Sequence, residues 1–162
     1  MIYLIILIII LIDFLISYFV PSYFNNLNYF FPMLTLTFIV FYFKKVKTNN
    51  YLKTVFLIGL IYDLLFSYLF LFNTLIFLLF SKILIKVDKI IRYNNFISII
   101  MLIIFIFLYD LILFILVYIS NYNSINFNDL LYKFTHSILI NIIFYLLLTI
   151  IFKNKKILKL KV

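Results

Sequence analysis

The sequence predicts an all-α polytopic membrane protein, a six-helix transmembrane bundle that forms one domain over residues 1–162 with both termini in the cytoplasm. Three observations predict this fold class. Hydrophobic residues make up 68% of the chain and the mean hydropathy is +1.27, which is more apolar surface than a soluble fold of 162 residues can bury. The apolar residues form runs long enough to span a bilayer. The basic residues cluster between those runs.

Thirteen of the fourteen basic residues fall in three short clusters, which occur at every second gap between apolar runs. The clusters are Lys44, Lys45, Lys47 and Lys53; then Lys82, Lys86, Lys89 and Arg92; then Lys153, Lys155, Lys156, Lys159 and Lys161. Only Lys133 lies elsewhere. Short loops rich in Lys and Arg stay on the cytoplasmic side during insertion, so the three clusters predict one cytoplasmic face of an inner-membrane protein.

Six apolar segments give the predicted spans in chain order. They cover approximately residues 2–20, 27–43, 54–70, 72–86, 96–119 and 134–152. The first ends before Pro21 and lacks both a basic start and a small-residue cleavage site, which favours an uncleaved helix over a signal peptide. Pro32 falls near the first turn of the second segment, where a missing backbone donor costs least.

Charge determines how the remaining segments cross. The stretch from Thr54 to Ile85 has basic residues on both flanks, so two crossings keep both flanks on one side, whereas a single tilted helix would separate them. Asn73 or Thr74 is expected to cap the fourth helix. The Asn-rich loop before the sixth segment lacks a basic cluster and is predicted to be external, which returns the Lys-rich tail to the cytoplasm.

Three carboxyl groups, Asp13, Asp63 and Asp110, interrupt the apolar segments. A carboxylate at the bilayer centre costs about 2.5 to 3.5 kcal/mol, so these side chains are predicted to face the bundle interior or water. The first, third and fifth helices enter from the same side, and the three Asp residues are therefore expected at similar depth. A packing role, with a hydrogen bond to Tyr, Ser or Asn, is favoured for Asp13 and Asp110. For Asp63, packing, partner binding and a proton- or cation-linked site all stay open.

Gly59, Asp63 and Ser67 recur every fourth residue and form one narrow stripe on the third helix. Gly59 is the only glycine in the chain. A residue without a side chain allows close backbone approach, and a nearby carboxyl group can then hydrogen-bond across the contact. The stripe predicts a helix-packing seam or a partner interface. Asn141 belongs to a second polar stripe, on the sixth helix, and is a further intramembrane polar residue.

The sequence predicts no catalytic, cofactor or metal site. It contains no Cys and one His, His136, and with a single Gly it cannot form a Gly-rich phosphate loop. A net charge of +9 does not indicate nucleic acid here, because the basic residues flank apolar segments rather than forming one basic face. The lipid bilayer, with its anionic headgroups, is the expected counter-charge.

The whole pattern resembles the rod shape-determining protein MreD family of small bacterial inner-membrane proteins. The residues that carry the resemblance are the early apolar helix, the second helix with Pro32 and its following basic loop, the stretch from Gly59 to Leu64, and a closing helix with Asn141 and a Lys-rich tail. Members often have further Gly residues around the third and fourth helices, where this chain has Phe72-Asn73-Thr74.

The resemblance implies a non-enzymatic component of the bacterial cell-elongation complex, involved in the regulation of cell shape and lateral-wall peptidoglycan synthesis. It implies an MreC-like bitopic partner and, through that partner, the actin-like filament and the peptidoglycan synthases. The Gly59 stripe would then pack the bundle or dock the helix of MreC. Two alternatives stay open: the substrate-binding membrane subunit of an energy-coupling-factor vitamin transporter, and an ion-coupled exporter that would use the three Asp residues, in which a homo-oligomer could supply what one copy lacks.

Overall fold

The computed structural model describes residues 2–19, 33–66, 71–91, 94–120 and 127–152, and these residues form six α-helices and no strand. The helices are α1 (Ile2–Phe19), α2 (Leu34–Phe43), α3 (Thr48–Phe66), α4 (Phe72–Ile90), α5 (Asn95–Ile119) and α6 (Phe127–Ile151). The all-α class is confirmed. Pro32, Ser67, the middle of the Asn-rich loop and the Lys-rich tail lie outside the described residues.

Some helices continue beyond the apolar segments that predict them. α3 begins at Thr48 rather than at about residue 54, and α6 begins at Phe127 rather than at about residue 134. The physical reason is that an apolar run marks the part of a helix that lipid can surround, whereas intrahelical hydrogen bonds continue for as long as backbone geometry allows. Hydropathy therefore underestimates helix length at the polar ends.

Two of the described helices, Asn95–Ile119 and Phe127–Ile151, are long and apolar enough to cross a membrane by length and composition. Shorter apolar helices are found over Tyr3–Ile16, within α1, and over Leu34–Phe43, which is α2. Large apolar side chains also cover the outside of the molecule, among them Phe19 at 74% exposure and Leu64 at 84%. Many exposed large apolar side chains are typical of a protein that is solvated by lipid, and they support membrane association.

α2 forms the centre of the bundle. Every residue from Leu34 to Phe43 is buried, and α2 contacts each of the other five helices. A helix that is apolar all round is stable only when other elements surround it. Because α2 has no lipid-facing or water-facing side, the backbone N–H groups of its first turn, which have no partner within the helix, must find acceptors on neighbouring helices.

Aromatic packing joins the helices at the end of the bundle where α2 terminates, which we call the basic end because Lys44 and Lys45 follow there. The rings of Tyr51 and Phe43 lie 5.1 Å apart, edge to face. The Tyr51 hydroxyl donates to the carbonyl of Ile39 and accepts a hydrogen bond from the Ser81 hydroxyl. α2, α3 and α4 are thereby connected at this end.

Candidate functional site

The N-terminus of α4 is capped by a carboxyl group from the preceding helix. Asp63 Oδ1 accepts a hydrogen bond from the backbone N–H of Asn73 at 2.8 Å, and Oδ2 accepts from the backbone N–H of Thr74 at 2.9 Å and from its hydroxyl at 2.6 Å. The expectation that Asn73 or Thr74 would cap α4 is wrong, because the N-cap position is Leu71, which provides no side-chain acceptor. A residue of α3 thus supplies the acceptor that an N-cap side chain normally provides.

Leu71 adopts a left-handed backbone conformation, with φ of 62°. For a residue with a large side chain this conformation costs on the order of 1 to 2 kcal/mol. Such a conformation persists only where the surrounding contacts impose it. Here the hydrogen bonds from Asn73 and Thr74 to Asp63 hold the first turn of α4 in place immediately after Leu71.

Gly59 lets α4 approach α3 closely enough for this cap to form. A Cβ atom built on Gly59 would lie 2.6 Å from the Cα atom of Thr74 and 3.0 Å from its Oγ1. No side chain fits there unless one helix moves, because the nearest atom belongs to the backbone. Gly59 precedes Asp63 by one helical turn, so one face of α3 provides both the close approach and the acceptor.

The first turn of α2 is capped in the same way, from α1. Asp13 Oδ1 accepts from the backbone N–H of Leu34 at 3.1 Å, and Oδ2 accepts from the backbone N–H of Thr35 at 2.9 Å. Asp13 is 1% exposed. As with Asp63, the donors are backbone amides at a helix N-terminus, where the helix dipole also favours a negative charge.

Asn141 of α6 completes the cap of α2. Its Oδ1 accepts from the backbone N–H of Met33 at 3.0 Å and from the hydroxyl of Thr37 at 2.9 Å. Its Nδ2 donates to the carbonyl of Ser137, one turn earlier on α6, at 2.7 Å. The side chain is fully buried, and these contacts tie α6 to the first turn of α2.

Asp110 forms a buried ion pair instead of a helix cap. Lys133 Nζ of α6 lies 3.2 Å from Asp110 Oδ1, and the two side chains are 10% and 0% exposed respectively. Removing one member of a buried pair typically costs about 3 to 5 kcal/mol, because the other charge is left uncompensated. The pair therefore fixes α5 against α6.

A shared pattern connects the three carboxyl groups. Asp13 of α1, Asp63 of α3 and Asp110 of α5 each contact the helix that follows in the chain. Tyr62 and Tyr109, which directly precede Asp63 and Asp110 in the chain, line one small cavity beside Asp13. The Tyr109 hydroxyl also donates to Asn73 Oδ1 at 2.8 Å, which connects α5 to the capped end of α4.

The cavity between Asp13, Tyr62 and Tyr109 has a volume of about 10 Å³. One water molecule needs roughly 10 to 15 Å³ measured in this way, and pockets for small organic ligands have volumes of about 300 to 1,000 Å³. This cavity between described residues therefore has no room for a vitamin-sized molecule. The carboxyl, amide and hydroxyl groups beside this cavity bind mainly to one another and to helix termini.

The predicted site residues fall into two groups. Asp13, Asp63, Asp110 and Asn141 are all buried and lie between helices. Gly59 lies at the contact between α3 and α4, whereas Ser67, the third member of its stripe, is outside the described residues.

His136 lies apart from these groups. It is exposed, and its Nδ1 lies 2.8 Å from the carbonyl oxygen of Tyr132. Among the described residues there is no group of three or more His, Cys, Asp or Glu side chains that could hold a metal ion.

Sequence reasoning missed three contributors: Lys133, Thr37 and Tyr109. The position of Lys133 could have indicated its role, because it is the one basic residue outside the three clusters that set the orientation of the chain in the membrane. For Thr37 and Tyr109 the sequence gives no comparable indication. Fourteen tyrosines and many hydroxyl side chains occur in this chain, and nothing in the sequence separates those that donate to a buried amide from the rest.

The profile of one protein family, described as rod shape-determining protein MreD, matches residues 1–153 of the chain. The chain belongs to the MreD family. No curated protein and no solved structure is significantly similar to it. As an MreD-family protein it is a rod-shape-determining membrane protein and a structural component of the rod-shape complex, which implies protein partners. The resemblance to the MreD family found in the sequence is confirmed.

Replacing Gly59 by Ala is expected to destabilise this MreD-family protein by about 1 to 3 kcal/mol, because the new Cβ would overlap the backbone of Thr74. Gly59→Leu should be more harmful. Unfolding of the purified protein by SDS in mixed micelles measures the effect. Leu64→Ala, at an 84% exposed position of the same helix, is the control and should change stability little. Equal stability of Gly59→Ala and the unmodified protein would show that the close approach is absent.

Proposed function

We propose that this MreD-family protein is a non-enzymatic, multi-pass component of the bacterial cell-elongation complex in the inner membrane, where it regulates cell shape and lateral-wall peptidoglycan synthesis. The observation that carries the proposal is the extent of the family match, which spans residues 1–153 and so includes all six described helices. The buried polar groups support a structural role, because they cap helices and pair with one another. A scaffold requires such fixed helix positions.

The proposed topology is a bundle of six spans in one domain, with both termini in the cytoplasm. The basic clusters support this orientation, because Lys-rich and Arg-rich loops stay in the cytoplasm. The structure adds support: Asp13, near the C-terminus of α1, meets the start of α2, and Asp63, near the C-terminus of α3, meets the start of α4. α3 and α4 run in opposite directions, because Asp63 meets Asn73 at the start of α4 while Tyr51, near the start of α3, meets Ser81 farther along α4. Successive membrane crossings also run in opposite directions.

The proposed partner is an MreC-like bitopic protein, which would connect this protein to the actin-like filament and the peptidoglycan synthases. The Gly59 stripe supports packing rather than docking, because Thr74 of the same chain already occupies the space beside Gly59. A partner helix would then bind the outer apolar surface. The vitamin-transporter alternative draws no support from the cavity beside Asp13, which is about 10 Å³ in volume.

Topology can be tested with single cysteines, because the chain contains no Cys of its own. Asn123→Cys, in the Asn-rich loop, should react with a membrane-impermeant maleimide added outside intact spheroplasts. Asn49→Cys is the matched control at the basic end, and it should react only after the membrane is opened. Labelling of Asn123→Cys from the cytoplasmic side alone would contradict the proposed orientation.

The partner can be tested by purifying the tagged protein in mild detergent from its native host and identifying co-purifying proteins by mass spectrometry. We expect an MreC-like protein together with peptidoglycan synthases, because the family belongs to the rod-shape complex. A tagged, unrelated polytopic protein of the same membrane is the control. Recovery of paired ATPases with a large membrane subunit would instead identify a transporter component and contradict the proposal.

A further inference from the structure

A groove of about 350 Å³ opens at the basic end of the bundle, between α2, α5 and α6. The residues that line it are Phe41, Lys44, Lys45, Asn95, Tyr145, Thr149 and Ile150. None of these described lining residues is acidic. The contact between the rings of Phe41 and Phe152, with centroids 5.6 Å apart, places the end of α6 beside the end of α2.

Two lysine side chains supply the charge of this groove. Lys44 Nζ donates to Asn95 Oδ1 at 2.8 Å, which fixes the ammonium group against the start of α5. Lys45 Nζ lies 5.6 Å from the centre of the Phe41 ring. Both lysines are half-buried, so the groove presents two ammonium groups at the edge of an apolar bundle.

Burial and a basic neighbour both act on Lys44. Burial, and then the neighbouring charge of Lys45, lowers the pKa of Lys44 to about 8, so Lys44 remains mostly charged at pH 7. A phosphate in the groove would therefore meet two ammonium groups, and hydrogen bonds between oppositely charged groups are stronger than those between neutral groups. Asp88 lines a separate groove that Lys44 also borders.

The composition of the walls indicates what kind of anion fits. The lysines and Asn95 lie at the mouth, where α2 ends, whereas Ile150 and the Phe41 ring are apolar surfaces of membrane-spanning segments. A ligand with a phosphate at one end and hydrocarbon at the other matches both parts. Basic pockets between transmembrane helices on the cytoplasmic side bind lipid headgroups for this reason.

We propose that the groove between α2, α5 and α6 binds the headgroup phosphate of one anionic phospholipid, held by Lys44 and Lys45, with an acyl chain along Phe41 and Ile150. The inference rests on the proposed orientation, which places this end at the cytoplasmic leaflet. Binding in micelles does not depend on orientation, so failure of the cysteine-labelling test and failure of lipid binding are separate results.

The test measures binding of a tail-labelled phosphatidylglycerol to the full-length protein in a neutral detergent, with competition by unlabelled lipids. We expect phosphatidylglycerol to compete at least about tenfold better than phosphatidylcholine with the same chains, since each lysine near the membrane surface contributes about fivefold. K44Q/K45Q should remove that preference. K82Q/K86Q, which changes two exposed lysines of α4 and the same net charge, should retain it.

A second variant tests the groove in case K44Q/K45Q does not fold. Thr149→Tyr keeps both lysines and fills the groove, so it should weaken phosphatidylglycerol binding while the protein elutes unchanged in gel filtration. An equal loss of binding in K82Q/K86Q would overturn the proposal in favour of diffuse charge. Competition by glycerol 1-phosphate at the same concentration as the lipid would overturn it too, because the ligand would then be a soluble phosphate.

Discussion

Helix N-termini buried within a membrane bundle need hydrogen-bond acceptors, and the rest of this structure depends on how that need is met. The first backbone N–H groups of any α-helix have no partner within the helix. Inside a lipid-solvated bundle, water cannot replace that partner, and each unsatisfied group costs several kcal/mol. The first turns of α2 and α4 contain buried residues, Leu34 and Asn73 among them, and Asp13, Asp63 and Asn141 accept hydrogen bonds at these helix starts.

The same contacts also explain how carboxyl groups are tolerated among apolar helices. A carboxylate at the bilayer centre and an uncapped helix N-terminus are each unfavourable alone, but the N-terminus carries a partial positive charge and unpaired donors. Placing Asp13 and Asp63 at these termini offsets both costs with one interaction. Asp110 lies where no helix begins, and it is paired with Lys133 instead.

Several features that look unrelated follow from these caps. The only glycine of the chain, Gly59, is found where α4 must approach α3 for Asp63 to reach the amides of Asn73 and Thr74. Leu71 accepts a left-handed conformation just before those amides. Because α2 is capped from both α1 and α6, it can remain buried along its whole described length at the centre of the bundle. Each cap thus satisfies the unpaired N–H groups of a helix and also sets the position of that helix in the bundle.

The sequence predicts the class of fold and the inward position of the Asp residues well, because both follow from the cost of polar groups in lipid. It does not predict what Asp13 and Asp63 bind. Partners among Tyr, Ser and Asn side chains were expected, but most of the donors are backbone amides, and an amide has no signature in the sequence. The Gly59 and Asp63 spacing does predict a close helix contact, whereas the choice of α4 as the neighbour depends on chain geometry.

The most direct measurement is a double-mutant cycle between Asp63→Leu and Thr74→Val, read out as the free energy of unfolding in mixed micelles. Because the Thr74 hydroxyl donates to the Asp63 carboxyl group, we expect a coupling energy of about 1 kcal/mol. The matched cycle between Asp13→Leu and Thr74→Val joins a residue that caps α2 to a residue of α4, and it should be additive within about 0.5 kcal/mol. Additive effects of Asp63→Leu and Thr74→Val would contradict the contact between the Asp63 carboxyl group and the Thr74 side chain in the first turn of α4.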